Sequence, residues 1–229
     1  EYVSTDISTG ALSSLKDGSF DEKSLLGMNS LSGGSGSGSG SIGSWSSCSV
    51  SNPTSEQYFT FNSSTHTITD YDGINWPKNV VIPCEIGGVV VENIGGWAFL
   101  SNELTSVTIS SNVTNIGDSA FYGNQIHTLN LGDGVYSIWN YAFWSNQITT
   151  LSLPDSTVEI GNNAFYYNQI HTLEFWTLIT HINNYVFYWN NLTSFSIPSN
   201  ITHIGIWAFY DNNISTLDLT SNNLEVIWN

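Results

Sequence analysis

Residues 116 to 131 read Ile-Gly-Asp-Ser-Ala-Phe-Tyr-Gly-Asn-Gln-Ile-His-Thr-Leu-Asn-Leu, and the phrase begins again 22 residues later. Counting each copy from its first isoleucine, the starts are Ile94, Ile116, Ile138, Ile160, Ile182 and Ile204. A phenylalanine returns at the sixth place (Phe99, Phe121, Phe143, Phe165, Phe187, Phe209). An asparagine returns at the ninth (Asn102, Asn124, Asn146, Asn168, Asn190, Asn212). A fixed period of this length marks a solenoid, in which each unit leaves an apolar face that only the next unit covers.

Within a copy the apolar places are 1, 5, 6, 11, 14, 16 and usually 20 or 21. The second copy fills them with Ile116, Ala120, Phe121, Ile126, Leu129, Leu131 and Val135. The end of the Leu-x-x-Leu-x-Leu segment alternates as a half-buried strand does. Stacked copies then pair those strands into a parallel sheet about 4.8 Å apart, with aligned Ile, Leu and Phe columns as the core. The ninth-place asparagines fit a structural ladder, each amide satisfying turn groups in its own coil and its neighbour's. Ile-Gly at the first two places suits a tight corner, with Trp139 and Asn183 as exceptions.

The phrase Ile-Gly-x-x-Ala-Phe-x-x-Asn-x-Leu-Thr-Ser-Val-Thr-Ile-x-x-x-Val-Thr closely resembles the BspA-like leucine-rich repeats of bacterial surface proteins, over about residues 80–227. The resemblance implies a curved or slightly twisted solenoid, exposed on a cell surface, used in adhesion or partner recognition, and without catalytic residues. The chain departs from that pattern in its aromatic load and its abrupt end. The expected fold class is a β-rich leucine-rich-repeat solenoid with one parallel strand per 22-residue repeat. Short turns or 3-10 segments lie opposite the strands, and a β-hairpin caps the N-terminal side.

Composition excludes other classes. Three lysines (Lys16, Lys23, Lys78), no arginine and 19 acids give a net charge of -16. Phosphate and nucleic-acid binding need basic residues, and so does docking on an anionic membrane. With 40% hydrophobic and 14% aromatic residues in strict period, the chain is not an acidic disordered one. No apolar run is long enough to span a bilayer. No signal peptide is visible, and Glu1 reads as a mature or trimmed start. Five Asn-x-Ser/Thr sequons (Asn62, Asn112, Asn191, Asn200, Asn213) arise mostly from the repeat's own Asn-apolar-Thr pattern.

The expected organisation is an N-terminal tail (1–31), a Gly/Ser-rich linker (32–47), an N-terminal cap with a partial repeat (48–93) and the six-repeat solenoid (94–229). The tail could hold a short helix over 10–16. Cys48 and Cys84 flank the start of the repeats and either form one disulfide or stay as two buried thiols. In the cap, residues 58–61 and 66–69 read as a hairpin about a turn at 62–65, followed by an Asp70-Tyr71-Asp72-Gly73 turn. Val80-Val81-Ile82 reads as the strand of the partial repeat, and Gly87-Gly88 as a turn into the first full copy.

Candidate binding residues lie between the scaffold places. Place four holds Trp97, Tyr141, Tyr185 and Trp207; place seven holds Trp144 and Tyr210 beside Tyr122, Tyr166 and Tyr188; place eight holds Tyr167 and Trp189. Such amphipathic rings suit protein or glycan contacts, or else simply shield the core. The strand face is small and polar, with Trp176 its one large feature. His181 and His203 share a place in adjacent copies, but two imidazoles make a poor zinc site. No catalytic constellation, metal set or cofactor motif stands out. The expected function is a non-catalytic, extracellular or cell-surface recognition and adhesion module for a protein or glycan on another cell surface. The alternative is a self-assembling subunit of a filament or surface layer.

Overall fold

The structure, a computed structural model, describes residues 48, 50–73, 77–175, 178–218 and 226–227. The tail with its expected helix, the linker, and Trp176 lie outside them.

The cap begins with a 3-10 turn (Glu56–Tyr58) and an antiparallel hairpin of β1 (Phe59–Asn62) and β2 (Thr67–Tyr71). The Asn62 side chain accepts the Ser64 N–H at 3.0 Å and closes the turn between them. Next come β3 (Asn79–Val81), β4 (Glu85–Ile86) and β5 (Val89–Val90). Gly87 and Gly88, at φ of 59° and 77°, link β4 to β5 in a two-residue turn that a side chain would strain.

Each copy then contributes two strands. In chain order they are β6 (Asn93–Ile94), β7 (Ser106–Thr108), β8 (Asn115–Ile116), β9 (Thr128–Asn130), β10 (Ser137–Ile138), β11 (Thr150–Leu153) and β12 (Glu159–Ile160). There follow β13 (Thr172–Phe175), β14 (His181–Ile182), β15 (Ser194–Ser196), β16 (His203–Ile204), β17 (Thr216–Asp218) and β18 (Val226–Ile227). From β7 the odd-numbered strands are the Leu-x-Leu segments. They pair in parallel as β3-β7-β9, β11-β13 and β15-β17, with residues 22 apart in register across the full copies. From β6 the even-numbered strands form a second parallel system, β6-β8-β10-β12 and β14-β16-β18, which the β1–β2 hairpin joins at its cap end.

The expected parallel strand of each repeat is present, and the second system stands in addition to it. Ile-Gly is not merely a corner: the isoleucine ends a two-residue strand, with Ile94 opposite Ile116 and Ile138 opposite Ile160. The bend follows at the glycine. A Cβ on Gly117 would stand 2.6 Å from the Gly96 nitrogen, so the close approach of coils excludes one there. The expected turn at 70–73 is also displaced, because Asp70 and Tyr71 still belong to β2. The segments opposite the Leu strands are turns, and the only 3-10 segment among the described residues is the one in the cap.

β2 caps the second system by pairing parallel with β6, Ile68 opposite Ile94. Inside, Phe99, Phe121, Phe143, Phe165 and Phe187 are fully buried, with neighbouring ring centroids 4.7 to 5.9 Å apart. Tyr71 extends this column into the cap, 5.1 Å from Phe99, and its hydroxyl donates to the Pro77 carbonyl at 2.8 Å. Burial pushes the Tyr71 phenol up to about 12. Each buried aromatic ring contributes roughly 1.5–3 kcal/mol by area removed from water. Thr157 interrupts an otherwise apolar column and is satisfied there, donating to the Val135 carbonyl at 3.0 Å. Cys48 and Cys84 are joined as a disulfide, Cα to Cα 5.9 Å, tying the start of the described chain to the partial repeat.

Candidate functional site

From the second copy on, the turn side of each coil is fixed by the ninth-place asparagine. Asn146 accepts the Ile126 N–H on Oδ1 and donates from Nδ2 to the carbonyls of Phe121 and Phe143, at 2.9 to 3.1 Å. Asn124, Asn168, Asn190 and Asn212 repeat the arrangement. Each amide therefore fastens its own coil to the one before it. Asn102 differs: its Nδ2 reaches only the Tyr71 carbonyl, at 3.4 Å, and its Oδ1 is buried with no hydrogen-bond partner among the described residues. A second chain of polar contacts runs along place three. The Asn140 N–H donates to the Asp118 carboxylate, Asn162 to the Asn140 amide oxygen, Asn184 to Asn162 and Ile206 to Asn184. Only the 22-residue recurrence of Asp and Asn in an exposed place could have signalled it.

Places four and eight adopt left-handed backbone in every copy. At place four, φ lies between 52° and 60° for Trp97, Ser119, Tyr141, Asn163, Tyr185 and Trp207. At place eight it lies between 52° and 68° for Ser101, Gly123, Ser145, Tyr167, Trp189 and Asp211. The coil-to-coil hydrogen bonds demand this geometry: Trp97, Tyr141 and Tyr185 donate their backbone N–H to Asp118, Asn162 and Ile206 of the next coil. Ser101, Tyr167 and Trp189 do the same to Tyr122, Tyr188 and Tyr210. Such corners suit Gly, Asn or Asp, and for other residues the conformation costs about 1–2 kcal/mol each. Half of them hold tryptophan or tyrosine instead. Strain retained in this way points to a use outside folding.

The aromatic candidates fall on two surfaces rather than one. Places four and seven share a face. Along place seven, Tyr122, Trp144, Tyr166, Tyr188 and Tyr210 form an unbroken row with centroids 4.9 to 5.4 Å apart, edge to face on both sides of Trp144 and stacked from Tyr166 to Tyr210. Tyr141 lies against Trp144 at 5.2 Å, Tyr185 against Tyr188 at 5.9 Å and Trp207 against Tyr210 at 5.7 Å. The row is half-buried from Tyr122 to Tyr188 and becomes exposed at Tyr210, so place seven both shields the core and backs the outer ring of place four. Trp97 stands at the cap end, 63% exposed. The Tyr188 phenol is pushed up, first by loss of water around it and then by Tyr166, Asp211, Tyr210 and Tyr185. Tyr122, Tyr166 and Tyr188, seen in sequence only as row members, are integral to this face.

On the other surface Tyr167 and Trp189 touch edge to face at 4.8 Å and are about half exposed. They border a shallow cavity with Gln147, Gln169 and Asn191. His181 and His203 stack at 4.3 Å, each Nδ1 within 2.8 Å of the preceding threonine hydroxyl. Among the described residues no group of three His, Cys, Asp or Glu is placed to hold a metal. No helix of the described residues is long and apolar enough to cross a membrane.

Two parallel strand systems, an asparagine-fastened turn side and a 22-residue cadence define a leucine-rich-repeat β-solenoid. The chain belongs to the BspA type leucine-rich repeat family, whose profile matches residues 41–149 and 92–216 in six copies. Its fold is similar to that of the pneumococcal vaccine antigen PcpA, at 22% identity over 69% of this chain and 44% of that one, with a TM-score of 0.57. It is similar also to the T. pallidum leucine-rich repeat protein, at 22% identity over 72% of this chain and 71% of that one, TM-score 0.52. A third is a leucine-rich cell surface protein from Faecalibacterium prausnitzii, at 23% identity over 78% of this chain and 55% of that one, TM-score 0.52. The chain thus spans under half of the pneumococcal protein and just over half of the Faecalibacterium one. No curated protein matches. Membership of the family supports an interaction or surface module.

Proposed function

We propose that this chain is a non-catalytic recognition module, displayed outside the cell, that binds a protein partner through the aromatic face of places four and seven. The observation that carries the reading is the placement of Trp97, Tyr141, Tyr185 and Trp207 at left-handed corners. There they lower the stability of the fold and add large, rigid contact area at low entropic cost. Interface energy concentrates in such anchors, and the solenoid supplies the rigid support they need. The similarity to a leucine-rich cell surface protein is consistent with display at a surface.

The test is adherence of the full chain to whole cells and to a panel of purified extracellular proteins, compared with a Trp97→Ser/Tyr141→Ser/Trp207→Ser variant. Saturable binding that weakens at least tenfold in the variant is expected. Undiminished binding by the variant, or no binding to any cell or protein, overturns the reading. Concentration-dependent growth of the unmodified chain in sedimentation velocity would favour the self-assembly alternative in its place.

A further inference from the structure

We infer that the surface beside the aromatic face carries a second, separate site: a groove for a neutral linear glycan, formed by Tyr167 and Trp189 with Gln147, Gln169 and Asn191. This goes beyond the protein-binding face and stands on different residues. The cavity measures about 370 Å³, within the range of small-ligand sites, and no charged side chain lines it. No group in the lining therefore pairs with a charged ligand.

The amides select the ligand. Gln147, Gln169 and Asn191 stand at place ten of successive coils, their backbone N–H groups bonded to Ile126, Ile148 and Ile170 of the coil before. Their side chains are exposed and make no hydrogen bond among the described residues. The deeper amides of Asn124, Asn146 and Asn168 are spent on backbone carbonyls, so the outer row is the part free to meet a ligand. Each free amide offers both a donor and an acceptor, which is what a sugar hydroxyl matches. The row advances by one coil, about 4.8 Å, per amide. An extended peptide rises only about 3.4 Å per residue and falls out of register with it. A chain of β-1,4-linked pyranoses advances by close to one coil per sugar and stays in register.

The aromatic pair supplies the anchor, since the C–H faces of a pyranose pack on Tyr and Trp rings. Place eight of the first three copies is Ser101, Gly123 and Ser145, so no aromatic ring stands at that place on the cap side of the pair. Asp211 occupies the same place in the sixth copy. A bound chain therefore runs along the stacking axis from the Tyr167–Trp189 pair toward Gln147.

Isothermal titration of the full chain, produced without glycosylation, with neutral cello-, xylo-, manno- and chito-hexaoses tests this, with an oligogalacturonide and a Gly/Ser peptide as controls. At least one neutral hexaose should bind and its dimer bind more weakly. Trp189→Ala should weaken binding at least tenfold and Gln169→Ala about threefold, while Tyr210→Ala on the other face leaves it unchanged. Should Trp189→Ala fail to fold, the Gln147→Ala/Gln169→Ala variant carries the same expectation, because those amides hold nothing in the fold. No binding by any neutral hexaose, equal binding by a control, or unchanged affinity in the groove variants overturns the site. None of these results bears on the protein-binding face, which the place-four variant tests.

Discussion

Asn102 stands to Pro77 as Asn124 stands to Leu104, but Pro77 has no N–H to give. The pairing of β3 with β7 sets Asn79 opposite Ser106, and so Pro77 opposite Leu104. Leu104 donates its backbone N–H to the Asn124 amide oxygen at 3.0 Å. One coil earlier the donor is replaced by a pyrrolidine ring, and the Asn102 oxygen is left buried and unmet. Lys78, the only lysine among the described residues, reinforces the joint by donating to the carbonyls of Gly73 and Asn102 at 2.7 and 2.8 Å.

The asparagines are accordingly unequal. Asn146→Ala strands the buried Ile126 N–H and leaves the Phe121 and Phe143 carbonyls with the amides of Asn124 and Asn168 alone, and should cost on the order of 3 kcal/mol. Asn102→Ala removes one long hydrogen bond together with an orphaned acceptor and should cost about 1 kcal/mol or less. Urea denaturation of the two variants checks the difference.

Trp97→Gly should stabilise the chain by about 1 kcal/mol, because it relieves a left-handed tryptophan that is 63% exposed. The greater freedom of glycine in the unfolded chain reduces the gain. Thermal melting checks the sign, and a lower Tm would contradict the strain argument.

Alkaline stability should follow Tyr71. Below pH 10 its phenol is protonated folded or unfolded, and its contribution is complete. Between pH 10 and about 12 the unfolded chain ionises first, so stability falls as pH rises, by up to about 1.4 kcal/mol per pH unit. Tyr71→Phe should start less stable, having lost the bond to Pro77, and show a shallower decline in melting temperature between pH 9 and 11.5.

Replacing both Cys48 and Cys84 with serine reopens a loop of sequence separation 36 and should destabilise the cap by about 4 kcal/mol. Hydrogen exchange should show β1 to β3 losing protection before the central coils, since a solenoid is held by nearest-neighbour interfaces.

Periodicity made the scaffold legible. Ile116, Phe121, Asn124 and Leu129 recur at 22, and both the Leu strands and the asparagine fastenings follow from that recurrence. The two-residue strands at Ser137-Ile138 and His181-Ile182 were not legible, because two residues carry no alternation to detect. Nor was the division of the aromatics into two surfaces. Trp144 and Trp189 stand at adjacent places, seven and eight, yet one backs Tyr141 while the other meets Tyr167, and the repeat pattern does not tell which way each ring turns. The left-handed corners themselves escaped because their usual markers, Gly and Asn, are present only at Gly123 and Asn163.

Those corners bear on how such a chain changes over time. Selection for folding alone would let Tyr141, Tyr185, Trp207, Tyr167 and Trp189 drift toward glycine, asparagine or aspartate, residues that Asn163, Gly123 and Asp211 already exemplify. A lineage that lost the partner should therefore erase its aromatic corners first and keep its phenylalanine column longest. The ratio of aromatic to Gly/Asn/Asp residues at places four and eight becomes a gauge of which coils remain in use.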